Sequence, residues 1–430
     1  MGGGRDKTAD LTQHDSKQAG WQMDNRRYYG LDALRGGMMM LGIVLHACML
    51  YLAEPPARYP FPTDHNTAYV FNVILAFIHS FRMPTFFVLA GFFTSLLIEK
   101  RGLRGTYSNR AKRILAPLAA GAVTILPITG LCMVTFMLSA RYGTHEFIPS
   151  FDAVQTFKQE LIANGFPIEK PTLGHLWFLY YLCFFYLLIP LCDFLVRVSL
   201  KFEDSVKRWL VSPFLLVTFA VLTAASLWPF QSGEVFMEYS LLKPHLPALL
   251  YFALFFVLGY LFHHYPVFLP ALARNVVFWA VLAAILFPLS LVVSHYDAGA
   301  PGDNVALHLG AVLAQGLCTW VLVYFFLGCA LRFFDRESPW IVYVSQSAYW
   351  VFLVHLPLVF LAGWWLVPFD LPAVLKFVLV CSFTSVVAFS TFHYWVQKTW
   401  VSDFLYGRRF DLDWPWRDSE MARSPLRART

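Results

Sequence analysis

This 430-residue chain is poor in charge, and its long apolar runs contain almost no acidic side chains. Only 14% of its residues are charged, whereas 58% are hydrophobic and 18% are aromatic. A soluble core cannot bury that much apolar surface, so the composition excludes an ordinary soluble domain. The apolar runs recur at about 20 residues or more, the length that an α-helix needs to cross a hydrocarbon layer about 30 Å thick. They do not alternate polar and apolar residues, which excludes a β-barrel.

The chain also lacks the cysteine patterns that are typical of metal sites or of disulfide frameworks. The seven cysteines lie in or at the ends of apolar runs, with no Cys-x-x-Cys pair and an odd total. This pattern argues against both a disulfide framework and a metal site. We therefore interpret the cysteines as small hydrophobic residues and predict no bound metal.

The apolar runs predict an all-α, polytopic membrane protein with about ten transmembrane helices. An even number of spans places both termini on one side. Lys and Arg concentrate in the N-terminal tail, in two loops and in the C-terminal tail, so we expect both termini in the cytoplasm. This topology explains the net charge of +6, and we predict no binding of nucleic acid. The predicted spans cover residues 31–53, 69–98, 111–140, 173–196, 209–229, 245–263, 274–294, 305–331, 340–365 and 372–402.

Three regions follow from these spans. Residues 1–27 lack the apolar core of a cleavable signal peptide and are predicted to form a disordered cytoplasmic tail. Residues 28–404 form the multispanning domain, and 405–430 form a basic cytoplasmic tail. Two outward-facing stretches, 54–68 and 141–172, are either connecting loops or a rim that holds a polar acceptor. The second is long enough for a short surface helix.

The first span, LDALRGGMMMLGIVLH at 31–46, contains both an arginine and a histidine. At 100° per residue, Arg35 and His46 share one helix face about 16 Å apart along the axis. Arg35 alone has an ordinary explanation, since an arginine at a cytoplasmic helix end can extend toward water. His46 is expected near the middle of the bilayer, where a titratable group indicates function.

The second span, FIHSFRMPTFFVLAGFF, repeats the pattern with His79 and Arg82 on one helix face. Arg82 lies too deep to reach water easily, and acidic partners are scarce, which favours an anionic ligand over an internal salt bridge. Later spans carry further polar residues that either bond neighbouring helices or line a polar passage. Those predicted to line it, together with His79, are His175, Ser345, Tyr349 and His355.

Several stretches, taken in order, resemble the acyltransferase 3 family of multispanning membrane O-acyltransferases. The resemblance covers residues 28–400 and is greatest to the glucan-biosynthesis branch of that family, which is associated with succinylation of periplasmic glucans. Each stretch alone is weakly specific, whereas the ordered set is highly specific. The stretches are LDALRGGMMMLGIVLH, FRMPTFFVLAGFF, NRAKRILAPL, HLWFLYYL and SAYWVFLVHLPL.

The resemblance implies transfer of an acyl group, acetyl or succinyl, from cytoplasmic acyl-CoA to a hydroxyl of an extracytoplasmic carbohydrate such as a periplasmic glucan. It also implies a multi-pass protein in the bilayer of the bacterial inner membrane. Acyl-CoA (acetyl-CoA or succinyl-CoA) is then a co-substrate, and no tightly bound cofactor is expected. His46 and Arg35 match the family's catalytic pair, and Arg110 and Arg113 match its Arg-x-x-Arg motif.

The residues themselves are consistent with this chemistry. A histidine can take a hydroxyl proton at neutral pH, cytoplasmic arginines can bind CoA phosphates, and Arg82 or Arg35 can stabilise the oxyanion formed at a thioester carbonyl. We expect Arg35, Arg82 and His355 to line one cavity with His46. The alternatives are a transporter or flippase of an anionic or carbohydrate-linked substrate, which would not consume acyl-CoA, and a sensory or scaffold protein, which would not need His46.

Overall fold

The computed structural model is helical along almost all of the chain that it describes, residues 28–55, 62–163, 173–210, 212–230, 235, 244–299 and 304–417. Helix accounts for 83% of the structure, and the described residues form no strand. The predicted all-α class is therefore confirmed. The predicted N-terminal tail, the last part of the C-terminal tail, and parts of the two outward-facing stretches lie outside the described residues.

The helices are numbered in chain order, and within the described residues two π-helical turns and one 3-10 turn lie between them. The π-helical turns are Ala111–Leu115 and Phe392–Val396, and the 3-10 turn is Gly174–Leu176. The α-helices are α1 (Tyr29–Met49), α2 (Tyr69–Arg110), α3 (Ala116–Tyr142), α4 (Phe151–Ala163), α5 (Trp177–Leu187), α6 (Ile189–Leu200), α7 (Glu203–Leu210), α8 (Pro213–Leu227), α9 (Leu246–His264), α10 (Phe268–Arg274), α11 (Val276–Gly299), α12 (Val305–Phe333), α13 (Pro339–Leu366), α14 (Ala373–Thr391) and α15 (Trp400–Tyr406).

Several of these helices are long and apolar enough to cross a membrane. Within the described residues there are seven such helical stretches, or up to nine if each of two bent pairs is one span. The pairs are α5 with α6, bent by 52°, and α7 with α8. Large apolar side chains of α11 such as Phe278 and Ile285 are exposed, as expected of a surface in contact with lipid. A helical architecture with several spans is thus confirmed, and the number of ten spans stays a prediction.

The longest helical stretch, Tyr69–Tyr142, has 74 residues and a break in its first half. A straight helix of that length would measure about 110 Å, far more than the hydrocarbon layer. Gly102 interrupts it with φ 67° and ψ 173°, a conformation that side-chain-bearing residues rarely adopt. Beyond the break, Arg110 Nη2 donates to Thr94 Oγ1 at 3.4 Å, which a straight helix between the two residues would prevent. The stretch therefore bends sharply near Gly102.

Two glycines bring α2 and α9 into backbone contact. A Cβ atom at Gly91 would lie 2.0 Å from the carbonyl oxygen of Phe256, and one at Gly259 would lie 1.9 Å from that of Val88. Small residues permit such close crossings, and apolar helices in lipid associate through tight packing of this kind. The crossing fixes α2, and with it Arg82, against the helices on one side of the site.

The segment that follows α14 folds back onto the helices. α15 includes residue 404, at which the multispanning domain is predicted to end and the basic tail to follow. Phe410 N donates to the carbonyl of Gln397 at 2.7 Å, and the rings of Trp414 and His393 stack with centroids 4.1 Å apart. Residues 397–417, called the C-terminal arm below, are therefore part of the folded structure.

The predicted surface helix in the second outward-facing stretch is present as α4. Arg141, at the end of α3, pairs with Glu160 of α4 at 2.6 Å, and the Tyr142 hydroxyl donates to the same carboxylate. The buried side chains of α4 are Phe157 and Leu161, which lie in the core beneath it. α4 is therefore an amphipathic helix held at the end of α3.

Candidate active site

Three histidines from different parts of the chain form a row where α1 and α13 meet. The ring centroids of His46 and His355 are 5.2 Å apart, and those of His355 and His175 are 5.4 Å apart. His175 reaches the row from the 3-10 turn before α5, and its Nε2 donates to the Leu353 carbonyl at 3.1 Å. The sequence predicted these residues to line a passage, and the structure brings them together.

His355 is held in one tautomer by its own helix. Its Nδ1 lies 2.8 Å from the carbonyl of Phe352 and 3.2 Å from that of Val351. Because carbonyl oxygens only accept, Nδ1 carries the hydrogen and Nε2 carries the lone pair. Nε2 is buried and has no hydrogen-bond partner. A buried lone pair oriented in this way is available to accept a proton from a ligand.

Arg82 is a buried cation with an incomplete set of partners. Its side chain is only 6% exposed, and its Nε donates to the carbonyl of Met38 at 2.8 Å. Among the ion pairs of the described residues none involves Arg82, and its Nη2 has no hydrogen-bond partner there. A buried guanidinium without a carboxylate is costly unless a ligand completes its bonding. This agrees with the sequence-based interpretation that Arg82 meets an anionic group.

Gly42 is the point at which Arg82 and His355 converge, and the sequence analysis missed it. A Cβ atom at residue 42 would lie 2.4 Å from Arg82 Nη2 and 3.4 Å from His355 Nε2. Gly42 precedes His46 by one helical turn, so both residues lie on nearly the same face of α1. That spacing is the signal that could have identified Gly42, although it does not reveal which side chains occupy the space.

His46 itself has no hydrogen-bond partner for either ring nitrogen among the described residues, and its side chain is partly buried. It lies in the last turn of α1. α1 ends at Met49, before the predicted end of the first span at residue 53, and the chain then turns to pair Leu52 with Ala68. The middle of α1 is near Met38, which accepts the hydrogen bond from Arg82, and the depth of His46 in the bilayer stays a prediction.

Arg35 lies apart from the histidines. Its Nη2 pairs with Asp32 at 3.1 Å and donates to Ser345 Oγ at 2.7 Å, and its Cζ lies 5.5 Å from the centroid of the Phe93 ring. Arg35 therefore has a carboxylate partner on its own helix, unlike Arg82. Arg35 remains about 16 Å along α1 from His46, so the two members of the predicted pair do not meet directly.

The predicted Arg-x-x-Arg pair belongs to a larger cluster of arginines. Arg101, Arg110 and Arg408 all lie close enough to Arg113 to repel it electrostatically. The Tyr349 hydroxyl donates to the Arg113 carbonyl at 3.0 Å, which connects the cluster to α13. The sequence predicts Arg110 and Arg113 as binding residues and places Arg101 in the same basic loop. Arg408 could not be identified in this way because it lies in the predicted tail.

Positive charge in this cluster is not neutralised within the described part of the chain. None of the four arginines takes part in an ion pair there. The Cζ of Arg110 lies 5.3 Å from the centroid of the Tyr186 ring, and its buried Nε has no hydrogen-bond partner. Guanidinium groups bind phosphates bidentately, so the cluster can accept a polyanionic ligand.

A small pocket lies beside α2 and includes the remaining predicted residue, His79. The Gln315 side-chain amide donates to Ser80 Oγ in its wall at 3.3 Å. Its lining combines aromatic and polar groups. The lining residues include His79, Ser80, Trp177, Tyr251, Phe252 and Gln315.

Metal ligands and disulfides do not contribute to the described structure. The described residues contain no group of three or more His, Cys, Asp or Glu that could hold a metal ion. All seven cysteines are free, and each is buried or partly buried.

Comparisons with known proteins agree with the resemblance found in the sequence. The acyltransferase domain model of the acyltransferase 3 family matches residues 28–393. Glucans biosynthesis protein C of Escherichia coli O1:K1 / APEC is 25% identical over 360 residues, covering 80% of this chain and 85% of the relative. The same protein of E. coli strain K12 is 24% identical over the same length. No solved structure matches significantly. The chain therefore belongs to the acyltransferase 3 family and is a multi-pass membrane protein of acyl-transferring type.

Proposed function

We propose that this protein transfers an acyl group, acetyl or succinyl, from cytoplasmic acyl-CoA to a hydroxyl of an extracytoplasmic carbohydrate. The observation that carries the proposal is the convergence of Arg82 Nη2 and His355 Nε2 at Gly42, next to His46. Acyl transfer to a hydroxyl requires a base for the hydroxyl proton and a donor for the oxyanion. Here one buried donor and one buried acceptor lack internal partners and adjoin a histidine with two unbonded ring nitrogens.

In the proposed reaction, His46 accepts the proton of the acceptor hydroxyl. At the same time, the hydroxyl oxygen attacks the thioester carbonyl carbon. Arg82 Nη2 donates to the carbonyl oxygen as it becomes an oxyanion. The tetrahedral intermediate collapses, the carbon–sulfur bond breaks, and the His46 proton passes to the CoA thiolate. His355 Nε2 lies close enough to orient the hydroxyl or to share the proton. The products are an ester of the carbohydrate and free CoA.

The donor enters from the cytoplasmic side in this proposal. Arg110 and Arg113 hold the CoA phosphates there, and Arg35, about 10 Å along α1 from Gly42, lies between the cluster and the histidines. Its contacts with Ser345 and Phe93 hold the Arg35 guanidinium beside the path that the thioester arm takes in this proposal. In this arrangement Arg35 positions the donor and does not touch the reacting carbonyl.

The acceptor enters from the other side, through the cavity that includes His79. Trp177 and Phe252 line it with aromatic rings, and Gln315 and Ser80 line it with polar groups, a combination that suits a carbohydrate. A glucan is the acceptor class that we favour, because relatives that match most of this chain are named Glucans biosynthesis protein C. The cavity lies on α2, the same helix that carries Arg82.

This route requires a defined orientation in the bacterial inner membrane. If the two sides of the Gly102 break are separate spans, the count rises from nine to ten. An even number is consistent with both termini in the cytoplasm, where basic residues of short loops remain. The bilayer, acyl-CoA and a carbohydrate are the partners of the proposed reaction, and acyl-CoA is consumed as a co-substrate.

Mass spectrometry of envelope glycans tests the proposal. Cells that lack the gene are complemented with the wild type, with His46→Ala or with His295→Ala, a control at an exposed histidine of α11. We expect an acyl mass difference with the wild type and the control and none with His46→Ala at equal abundance in the membrane. Acylation by His46→Ala at the wild-type level would refute the mechanism. Glycans that move across the membrane without gaining acyl mass would instead indicate a transporter or flippase.

A further inference from the structure

The C-terminal arm brings an additional arginine to the arginine cluster. Gly407 adopts φ 66° directly after α15, and a Cβ atom there would lie 2.5 Å from Arg113 Nη2. The backbone of the arm therefore lies against the Arg113 guanidinium. Arg408 follows this turn, and its Cζ lies 4.8 Å from the centroid of the Phe410 ring. It lies beyond residues 28–393, which match the family model.

Several bonds hold the arm in this position. The backbone N–H of Trp350 in α13 donates to the Tyr406 hydroxyl at 3.0 Å. Ser402 Oγ donates to the Arg408 carbonyl at 2.8 Å, which closes the turn. These contacts place the Arg408 backbone but leave its guanidinium without a hydrogen bond or a carboxylate among the described residues. The next residue, Arg409, differs, because its Nε pairs with Asp403 at 2.6 Å.

Charge balance indicates which ligand would use this arginine. CoA carries a pyrophosphate and a separate phosphate monoester, and the monoester alone has about 1.5 to 2 negative charges at neutral pH. Two guanidinium groups match the pyrophosphate, which leaves the monoester to be neutralised. Arg101 and Arg408 add two unpaired positive charges to Arg110 and Arg113. Four arginines and CoA are therefore nearly matched in charge.

We propose that Arg408 binds the phosphate monoester of CoA, so that the C-terminal arm completes the donor site. This inference rests on the proposed function, since it assigns one group of the same acyl-CoA donor. It adds a binding residue from a segment outside the matched domain. In this proposal Arg101, which precedes the break at Gly102, also contributes positive charge to the site of this phosphate.

Equilibrium binding of CoA and of 3′-dephospho-CoA tests the assignment. The full-length protein is reconstituted in nanodiscs of neutral phosphatidylcholine as wild type, Arg408→Gln, Arg408→Lys and Arg409→Gln. We expect the wild type to bind CoA about tenfold more tightly than dephospho-CoA, since one charge-assisted contact is lost. Arg408→Gln should bind CoA more weakly and lose most of the preference, with Arg101 retaining the remainder, and Arg408→Lys should retain a larger part of it. The control Arg409→Gln should behave as the wild type.

The outcomes separate this inference from the proposed function. A wild type that binds no CoA would refute both. A wild type that prefers CoA, together with an Arg408→Gln variant that keeps the same preference, would refute only the assignment of Arg408. Nanodiscs that contain anionic phosphatidylglycerol provide a further comparison. If this lipid abolishes the preference of the wild type for CoA and leaves the binding by Arg408→Gln unchanged, Arg408 binds lipid phosphate and the assignment is wrong.

Discussion

Arg82 and His355 meet at one point on α1 because residue 42 has no side chain. The position of a Cβ atom at Gly42 lies 2.4 Å from Arg82 Nη2 and 3.4 Å from His355 Nε2. Neither atom has another hydrogen-bond partner among the described residues. The Arg82 guanidinium therefore occupies the room that a side chain at residue 42 would take, and His355 Nε2 lies beside it.

Gly42→Ala should strongly impair catalysis while leaving the protein folded. The added methyl group would displace the Arg82 guanidinium, and a displacement of about 1 Å at a reacting centre can cost about 100-fold in rate. We therefore expect kcat for acyl transfer to fall by about two orders of magnitude. The rate of CoA release by purified protein measures this change.

Gly37→Ala is the matched control for that substitution. Gly37 lies on the same helix, and a Cβ atom there would meet nothing within 4 Å. Exchange of an exposed helical glycine for alanine favours the helix, so neither activity nor abundance should fall. Equal activity of Gly42→Ala and Gly37→Ala would show that the reaction does not use the space at Gly42.

Arg82→Lys tests whether Arg82 acts through its geometry or only through its charge. Lysine keeps the positive charge but cannot both bond the Met38 carbonyl and aim a second nitrogen at Gly42. Loss of one oxyanion donor typically lowers kcat by about 100-fold to 1,000-fold. Arg141→Lys, at an exposed arginine paired with Glu160, serves as the control. If Arg82→Lys retains full kcat, oxyanion stabilisation by this guanidinium is excluded.

Much of this architecture can be predicted from the sequence because it depends on local patterns. Apolar runs predict the helices, and the spacing of Arg35 and His46 places them on one face of α1. The surface helix α4 follows from the length and composition of its loop. The pairing of Arg35 with Asp32 was also within reach, since the two residues are three apart on one helix.

Contacts between distant segments could not be predicted in this way. Gly42 matters because of side chains from α2 and α13, and a glycine alone does not indicate what approaches it. Arg408 lies beside Arg113 only because Gly407 turns the chain back, and an arginine near a C-terminus otherwise suggests a solvated tail. Helix ends also depend on tertiary contacts, which is why α1 ends at Met49 and not at the predicted residue 53.

Substitution of the Arg-x-x-Arg motif should weaken donor binding more than it slows chemistry. Arg110→Ala or Arg113→Ala should raise the KM for acyl-CoA by about tenfold with little change in kcat, because a lost phosphate contact affects the bound ground state and transition state alike. Lysine at either position should rescue only part of the affinity. Steady-state kinetics over a range of acyl-CoA concentrations measure both constants.

Arg208→Ala provides the comparison for that series. Arg208 is a basic residue of α7 whose Nη2 bonds Ser205, away from the cluster. Its substitution should leave the KM unchanged. Equal KM values in the wild type, Arg110→Ala and Arg113→Ala would show that acyl-CoA binds elsewhere.

A buried ion pair that includes none of the three histidines should control stability rather than chemistry. Lys376 Nζ, at the start of α14, lies 2.8 and 2.9 Å from the two carboxylate oxygens of Asp64, and neither side chain is exposed. Asp64 also accepts from the backbone of Asn66 at 2.9 Å, so the pair fastens the segment between α1 and α2 to α14.

Asp64→Ala would leave the Lys376 ammonium buried without its counter-ion, which typically destabilises a protein by about 3–5 kcal/mol. We expect a clear fall in the melting temperature of the detergent-solubilised protein, with kcat per folded molecule nearly unchanged. Replacement of both partners by apolar residues, Asp64→Leu with Lys376→Met, should recover much of the loss because no unpaired charge remains. Lys398→Ala removes an exposed pair with Asp411 and should not change the melting temperature. If Asp64→Ala melts at the same temperature as Lys398→Ala, the ammonium reaches water or another partner, and the buried pair does not hold this segment in place.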